Sequence, residues 1–210
     1  MPRITLVGYR GTGKSTVAAL LGGLLGCGWD DADQVLEKKL GCSIATLVRA
    51  RGEPAFRDEE AIVLADLLSG CTGVLSTGGG VVLRPGNREL LRRLGRPIVW
   101  LSAPADVVHR RIMADPSTPE RRPSLVGAAG QRAGDPMAEV TEALAAREAF
   151  YRECADVAFD TSVDPPAAVA RGIVAWLEES WPRMERANAS SGRSDHPSRP
   201  ASGPSAGGCA

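Results

Sequence analysis

Residues 4–16 read ITLVGYRGTGKST. The four apolar residues at the front have the length and composition of a buried strand. Lys14–Leu25 then shows a helical period, with Val17, Leu20, Leu21, Leu24 and Leu25 expected on one face. Between strand and helix, glycines at 8, 11 and 13 let successive backbone N–H groups turn inward, and the helix N-terminus adds the positive end of its dipole. Gly8-x-x-x-x-Gly13-Lys14-Ser15 is therefore a phosphate-binding loop in its required context. Lys14 can reach the β- and γ-phosphates of a nucleoside triphosphate, and the Ser15 hydroxyl is placed to ligate Mg²⁺. Gly11, Thr12, Gly13, Lys14, Ser15 and Thr16 are assigned to the nucleotide; Tyr9 and Arg10 receive no role. The motif names the donor and is silent about the acceptor.

Outward from the loop, short apolar runs alternate with longer helical patterns. A second strand should end near Trp29–Asp31, followed by helices over Asp33–Leu40 and Ser43–Leu68, the latter interrupted around Gly52–Pro54. Further strands are expected at Gly73–Ser76, Pro97–Leu101 and Val157–Asp160. Helix starts carry proline where the first turn tolerates it, at Pro104, Pro136 and Pro165. This alternation gives an α/β fold, a parallel sheet covered by helices on both faces. Residues 114–135, which include DPSTPERRPSLVGAAGQRAGD, break the pattern with prolines, glycines and arginines. A loop that long inside one domain is functional or disordered. From Arg183 to residue 210 the Ser/Gly/Pro/Ala-rich chain cannot bury a core, so a disordered tail follows a domain of residues 1–182.

Composition narrows the function. The 210 residues are 43% hydrophobic, and Lys+Arg 25 balance Asp+Glu 25. No global charge favours nucleic acid or an anionic membrane surface. The five cysteines, at 27, 42, 71, 154 and 209, form no CxxC pair, and His109 and His196 offer no ligand spacing beside them. Reduced thiols, not a zinc site or a disulfide framework, are expected. Neither a signal peptide nor a membrane-spanning run is visible, which places the protein in the cytoplasm.

Five more clusters, at strand ends, on helices and on the long loop, could choose the acceptor. Asp31-Ala32-Asp33 lies at the end of the second strand, and spacing of two along extended chain points both carboxylates the same way. One can serve Mg²⁺ through water and the other a substrate hydroxyl; Asp33 equally fits a helix N-cap. In EPAFRDEE (53–60), Arg57 is a candidate for choosing the acceptor, although it stands three residues before Glu60, the spacing of an ordinary helix-surface ion pair. Thr77-Gly78-Gly79-Gly80 follows the third strand, where bare backbone can accept a ligand or simply turn. Glu120-Arg121-Arg122-Pro123-Ser124-Leu125 lies in the long loop, where arginine on a mobile segment can close over a phosphoryl group. Arg147 in REAFY can hold a carboxylate or stack on a base, or simply cover the surface of its helix.

In this order along one chain, the set resembles the shikimate kinase family over roughly residues 2–180. The resemblance implies a three-layer α/β/α fold of the nucleoside-monophosphate-kinase type. Its parts would be a five-stranded parallel sheet, a substrate-binding region at about residues 31–62 and a mobile LID at about 112–136. It implies transfer of the ATP γ-phosphate to the 3-hydroxyl of shikimate, with Mg²⁺ as cofactor and no nucleic-acid or membrane partner; a monomer is expected. Carried over, Lys14 binds phosphate, Ser15 and Asp31 serve the metal, and Asp33 holds the shikimate hydroxyls. Arg57 and Arg147 clamp the carboxylate, Glu60 orients Arg57, and Gly78, Gly79 and Gly80 line the substrate. Arg122 reaches the phosphates from the LID, and Arg110, or its neighbour Arg111, contacts adenine. The LID is longer than is usual in the family, and RPSL replaces the commoner RPLL. Two alternatives are a P-loop kinase for another small hydroxy acid such as gluconate, and a non-catalytic nucleotide-binding relative. Retention of Lys14, Asp31, Asp33, Arg57 and Arg122 speaks against the second.

Overall fold

In the computed structural model, which describes residues 3–115 and 135–190, the opening apolar run is the middle of a sheet. Ile4–Val7 (β1) is buried at every position, the signature of a parallel strand covered on both faces. Around it lie Trp29–Asp31 (β2), Val74–Ser76 (β3), Ile98–Ser102 (β4) and Val157–Asp160 (β5), in the order β2-β3-β1-β4-β5. Every pairing is parallel: Ile4 aligns with Val74, Val7 with Trp100, and Asp31 with Ser76. The expected five-stranded parallel sheet is the one observed. At the edge strand β5 burial alternates instead of being continuous.

The helices are Lys14–Leu25 (α1), Ala32–Leu40 (α2), Ile44–Gly70 (α3), Pro85–Leu94 (α4), Ala105–Ala114 (α5), Pro136–Cys154 (α6), Pro166–Glu179 (α7) and Trp181–Ser190 (α8). They cover both faces of the sheet. One core joins Ile4, Leu6, Val99 and Leu101 to Val17, Ala18 and Leu21 of α1 and Val169, Ala170 and Ile173 of α7. The other joins Val7, Leu75 and Ile98 to Leu64 and Leu68 of α3, Leu91 of α4 and Tyr151 and Cys154 of α6. Among the described residues Cys27, Cys42, Cys71 and Cys154 are unbridged; burial pushes the Cys154 thiol up to about 11, so it is neutral at pH 7.

Three local differences from the sequence expectation have clear causes. On α1, Leu20 and Leu24 are 36% and 53% exposed, while Val17, Ala18, Leu21 and Gly22 face inward. Small residues set the buried face here: a methyl on Gly22 would stand only 2.9 Å from the Cys27 carbonyl oxygen. The α4 helix was missed although Pro85 at its first position is a regular start signal. The third difference concerns residues 183–190, expected to be disordered with the rest of the tail. They continue α8, whose first residue Trp181 packs against Trp176 at 5.9 Å and under the Arg96 guanidinium at 5.2 Å. Residues 191–210, the rest of that tail, lie outside the described residues, as do residues 116–134 of the LID.

Two backbone features aim the site. Gly52 (φ 82°, ψ 168°) breaks α3 where the Gly52–Pro54 interruption was expected, so a new helical run carries Phe56, Arg57 and Glu60 inward. Gly8 adopts φ 145°, and a methyl there would overlap the Leu101 carbonyl on β4. Because both the dihedral and a backbone atom oppose a side chain, Gly8→Ala is expected to cost about 2–4 kcal/mol in urea unfolding. A loss below about 0.5 kcal/mol would show that the loop relaxes freely.

Candidate active site

The phosphate loop is shaped by Gly11 (φ 79°) and Gly13 (φ 85°), both in the left-handed region, with Gly13 as the N-cap of α1. Its donors converge on one atom. The Tyr9 carbonyl accepts from Thr12 N–H at 3.3 Å, Thr12 Oγ1 at 2.7 Å and Lys14 Nζ at 2.9 Å. Lys14 is buried with its ammonium inside the loop.

One carboxylate ties this loop to the sheet. Asp31 Oδ2 accepts from Ser15 Oγ at 2.5 Å and from Ser76 Oγ at 3.2 Å. Its other oxygen caps α2, accepting from the N–H groups of Asp33 at 3.0 Å and Gln34 at 3.3 Å. The cap that Asp33 fitted in the sequence thus belongs to Asp31. Asp33 sits in the first turn of α2, with Oδ1 only 2.9 Å from where a Gly78 methyl would be.

On the other side of the turn after β3 stands a buried ion cluster. Arg57 donates from Nη1 to Glu60 Oε2 at 2.8 Å, and from Nε and Nη2 to Glu53 Oε1 at 3.2 and 3.0 Å. Its guanidinium lies 4.7 Å from the Phe56 ring centre. Arg57 and Glu60 are only 7% and 6% exposed, so this is no surface pair. Glu60 Oε1 is buried without a hydrogen-bond partner. Burial raises the Glu60 pKa, against the opposing pull of Arg57.

The three glycines provide the space in which these side chains meet. A methyl on Gly78 would stand 2.7 Å from Glu60 Oε1, and one on Gly80 would overlap the Arg57 guanidinium. A methyl on Gly79 would approach the Arg10 N–H at 3.0 Å. The Gly79 carbonyl accepts from the Tyr151 hydroxyl at 2.5 Å, a buried phenol whose pKa is raised chiefly by desolvation. Arg147, one turn before Tyr151 on α6, lies 5.0 Å from the Tyr9 ring centre.

A cavity of about 610 Å³ runs along the phosphate loop past Asp31 and Asp33 to Arg111, Thr161 and Asp164. Of the two candidate arginines on α5, Arg111 faces it, donating to Gly11 O at 3.4 Å, Thr161 Oγ1 at 3.0 Å and Thr161 O at 2.6 Å. Arg110 turns outward to Asp106 Oδ2 at 3.2 Å and is not among the lining groups. Thr161, which the sequence reading missed, follows β5 at the carboxyl edge of the sheet, and that position was its available signal. Arg122 lies outside the described residues.

Known proteins resemble this chain in sequence and fold. The chain is 42% identical over 170 residues to a shikimate kinase of Oleidesulfovibrio alaskensis, covering 81% of this chain and 94% of the relative. It is 39% identical over 183 residues to a shikimate kinase of Pseudomonas syringae pv. syringae, covering 87% of this chain and the whole of the relative. Among solved structures, the shikimate kinase of Acinetobacter baumannii in complex with shikimate superposes with a TM-score of 0.75 at 32% identity, over 83% of this chain and 92% of that one. A gluconokinase of Sinorhizobium meliloti superposes at 0.50 with 16% identity, a likeness of fold alone over 88% of this chain and 95% of that one. The shikimate kinase family model matches residues 10–178, from the middle of the phosphate loop almost to the end of α7. With the acid pair, the buried arginine and the glycine turn all inside that match, the chain belongs to the shikimate kinase family.

Proposed function

We propose that this chain transfers the γ-phosphate of ATP to the 3-hydroxyl of shikimate, giving shikimate 3-phosphate and ADP. The observation that carries the reading is the buried Arg57, braced by Glu53 and Glu60 and packed over Gly80, with Asp33 against Gly78 in the same glycine turn. A fixed guanidinium and a carboxylate along one bare turn suit a small acceptor that has both a carboxylate and hydroxyls. The Acinetobacter relative, solved with shikimate, supports the choice.

The other roles follow from position. Lys14 exchanges the Tyr9 carbonyl for phosphate oxygens, and Gly11, Thr12, Gly13 and Thr16 complete the cradle. Arg111, not Arg110, stands at the far end of the cavity to meet the adenine. Gly78, Gly79 and Gly80 line the acceptor, Arg147 joins Arg57 on its carboxylate, and Arg122 reaches the transferring phosphoryl group. Asp33 orients the accepting hydroxyl; in a loose transition state proton abstraction comes late and counts for less.

Ser15 Oγ and Asp31 Oδ2, already 2.5 Å apart, are hard oxygen donors of the kind Mg²⁺ takes together with water and phosphate. Ser15 would hold the ion directly and Asp31 through water. When bound, the ion would offset the negative charge of the phosphate oxygens. No described helix is long and apolar enough to cross a membrane, and we place the protein in the cytoplasm, acting as a monomer.

Purified protein with ATP and Mg²⁺ is expected to phosphorylate shikimate, with turnover of gluconate below about 1% of that rate; a buried polar site rejects acceptors that leave its groups unpaired. ADP release and the phosphorylated product check both. A folded protein that ignores shikimate, or prefers gluconate, would end the reading.

A further inference from the structure

Tyr9 has no part in holding phosphate by its side chain, yet that side chain is only 4% exposed. Its ring packs with Val108 and Ile112 of α5 and Val140 and Ala143 of α6. Arg147 follows Ala143 by one helical turn and reaches back over this ring, its guanidinium carbon 5.0 Å from the ring centre. The guanidinium of Arg10 is farther, at 5.9 Å. The Tyr9 carbonyl accepts from Lys14 Nζ and from both Thr12 donors. One residue thus supports a cation of the phosphate side with its backbone and a cation of the acceptor side with its ring.

We propose that Tyr9 is a positioning residue for the acceptor: its ring holds the Arg147 guanidinium in the orientation that receives the acceptor's carboxylate. The inference rests on the reading of Arg147 as a carboxylate clamp. An arginine side chain loses much rotamer freedom when it is fixed, and a guanidinium over an aromatic face is held before the ligand arrives. Two helices pack against the ring and confine it, so it offers the guanidinium one face. Removing the ring face leaves Arg147 able to pair with a carboxylate, but only after ordering at the acceptor's expense. The loss therefore falls on acceptor binding, and the nucleotide side keeps its donors, because they depend on the Tyr9 backbone.

The test is a series at position 9: Tyr9→Phe, then phenylalanines carrying one, two and five ring fluorines, and Tyr9→Leu. Fluorine drains the ring face of negative charge while nearly preserving shape, which separates cation binding from mere filling of the core. Tyr9→Phe is expected to match the wild type. The KM for shikimate should rise stepwise with fluorination, reaching about 5- to 30-fold in Tyr9→Leu. Over the series the KM for ATP should stay within about twofold and kcat within about threefold. The same series in an Arg147→Met background should be flat, since the cation is gone. A shikimate KM indifferent to fluorination, where Arg147→Met alone raises it, overturns the role of Tyr9 and leaves the clamp standing. A fluorination effect that persists in Arg147→Met also overturns it, by moving the ring's partner to Arg10. If Arg147→Met leaves the shikimate KM unchanged, the clamp itself is wrong and the inference falls with it. Should Tyr9→Leu fail to fold, the fluorinated series carries the test alone.

Discussion

Asp33→Asn is expected to lower turnover by about 10²- to 10⁴-fold while the affinity for ATP changes less than about twofold. The substitution keeps the shape that lies against Gly78 and removes the charge proposed to organise the accepting hydroxyl. It leaves α2 capped, because the cap belongs to Asp31. Thermal unfolding should therefore stay close to the wild type, which separates this result from a folding defect. If hydroxyl orientation dominates, the loss sits toward the lower end of that range and shows equally in single turnover. A decrease smaller than about threefold would remove Asp33 from the chemistry.

The second large effect concerns Arg57. Arg57→Met leaves Glu60 buried, with one oxygen already unpartnered and the other newly so. An uncompensated buried charge of this kind costs about 3–5 kcal/mol. Affinity for shikimate should fall at least about 100-fold, as expected for a lost charge-assisted carboxylate contact. The two losses can be told apart. Arg57→Met combined with Glu60→Gln should recover most of the stability and none of the affinity. The pH dependence has a definite sign. Burial already raises the Glu60 pKa in the folded protein, and losing Arg57 raises it further. A raised folded-state value means that stability is fully present below about 4.3, the ordinary glutamate value, and is lost as pH rises through the folded one. Arg57→Met should thus be nearer the wild type in chemical unfolding at pH 5 than at pH 8. An equal deficit at both would show that Glu60 stays charged or finds water.

The phosphate loop was legible because its signal is local: glycines, lysine and hydroxyl at fixed spacing between a strand and a helix. The central strands were legible for the same reason: Ile4–Val7 and the start of Ile98–Ser102 are the continuous apolar runs that a doubly covered strand requires. Arg57 was not. An arginine three residues before a glutamate reads alike on a surface or in a core. What decides is the Gly52 break and the bare Gly78–Gly80 turn, which come together only in the fold. The choice between Arg110 and Arg111 depended on helical phase, which α5 fixes by burying Val108 and Ile112. Leu20 and Leu24 misled because hydrophobicity was weighed and closeness was not: Ala18 and Gly22 let neighbouring backbone approach. The biased composition of the tail gave no sign that residues 183–190 continue the helix begun at Trp181.

Asp31 accepts from Ser15, from Ser76 and from two backbone N–H groups of α2. The atoms that would serve the nucleotide's ion are therefore the atoms that join α1, β3 and α2. No substitution at this position can change catalysis without loosening the fold, so natural variation there would be penalised twice. Arg57 and the glycine turn are differently placed, on one helix and one loop, with stability and recognition separable by a second change at Glu60. Such a division makes the donor half rigid in descent and the acceptor half the part from which new substrates can be learned.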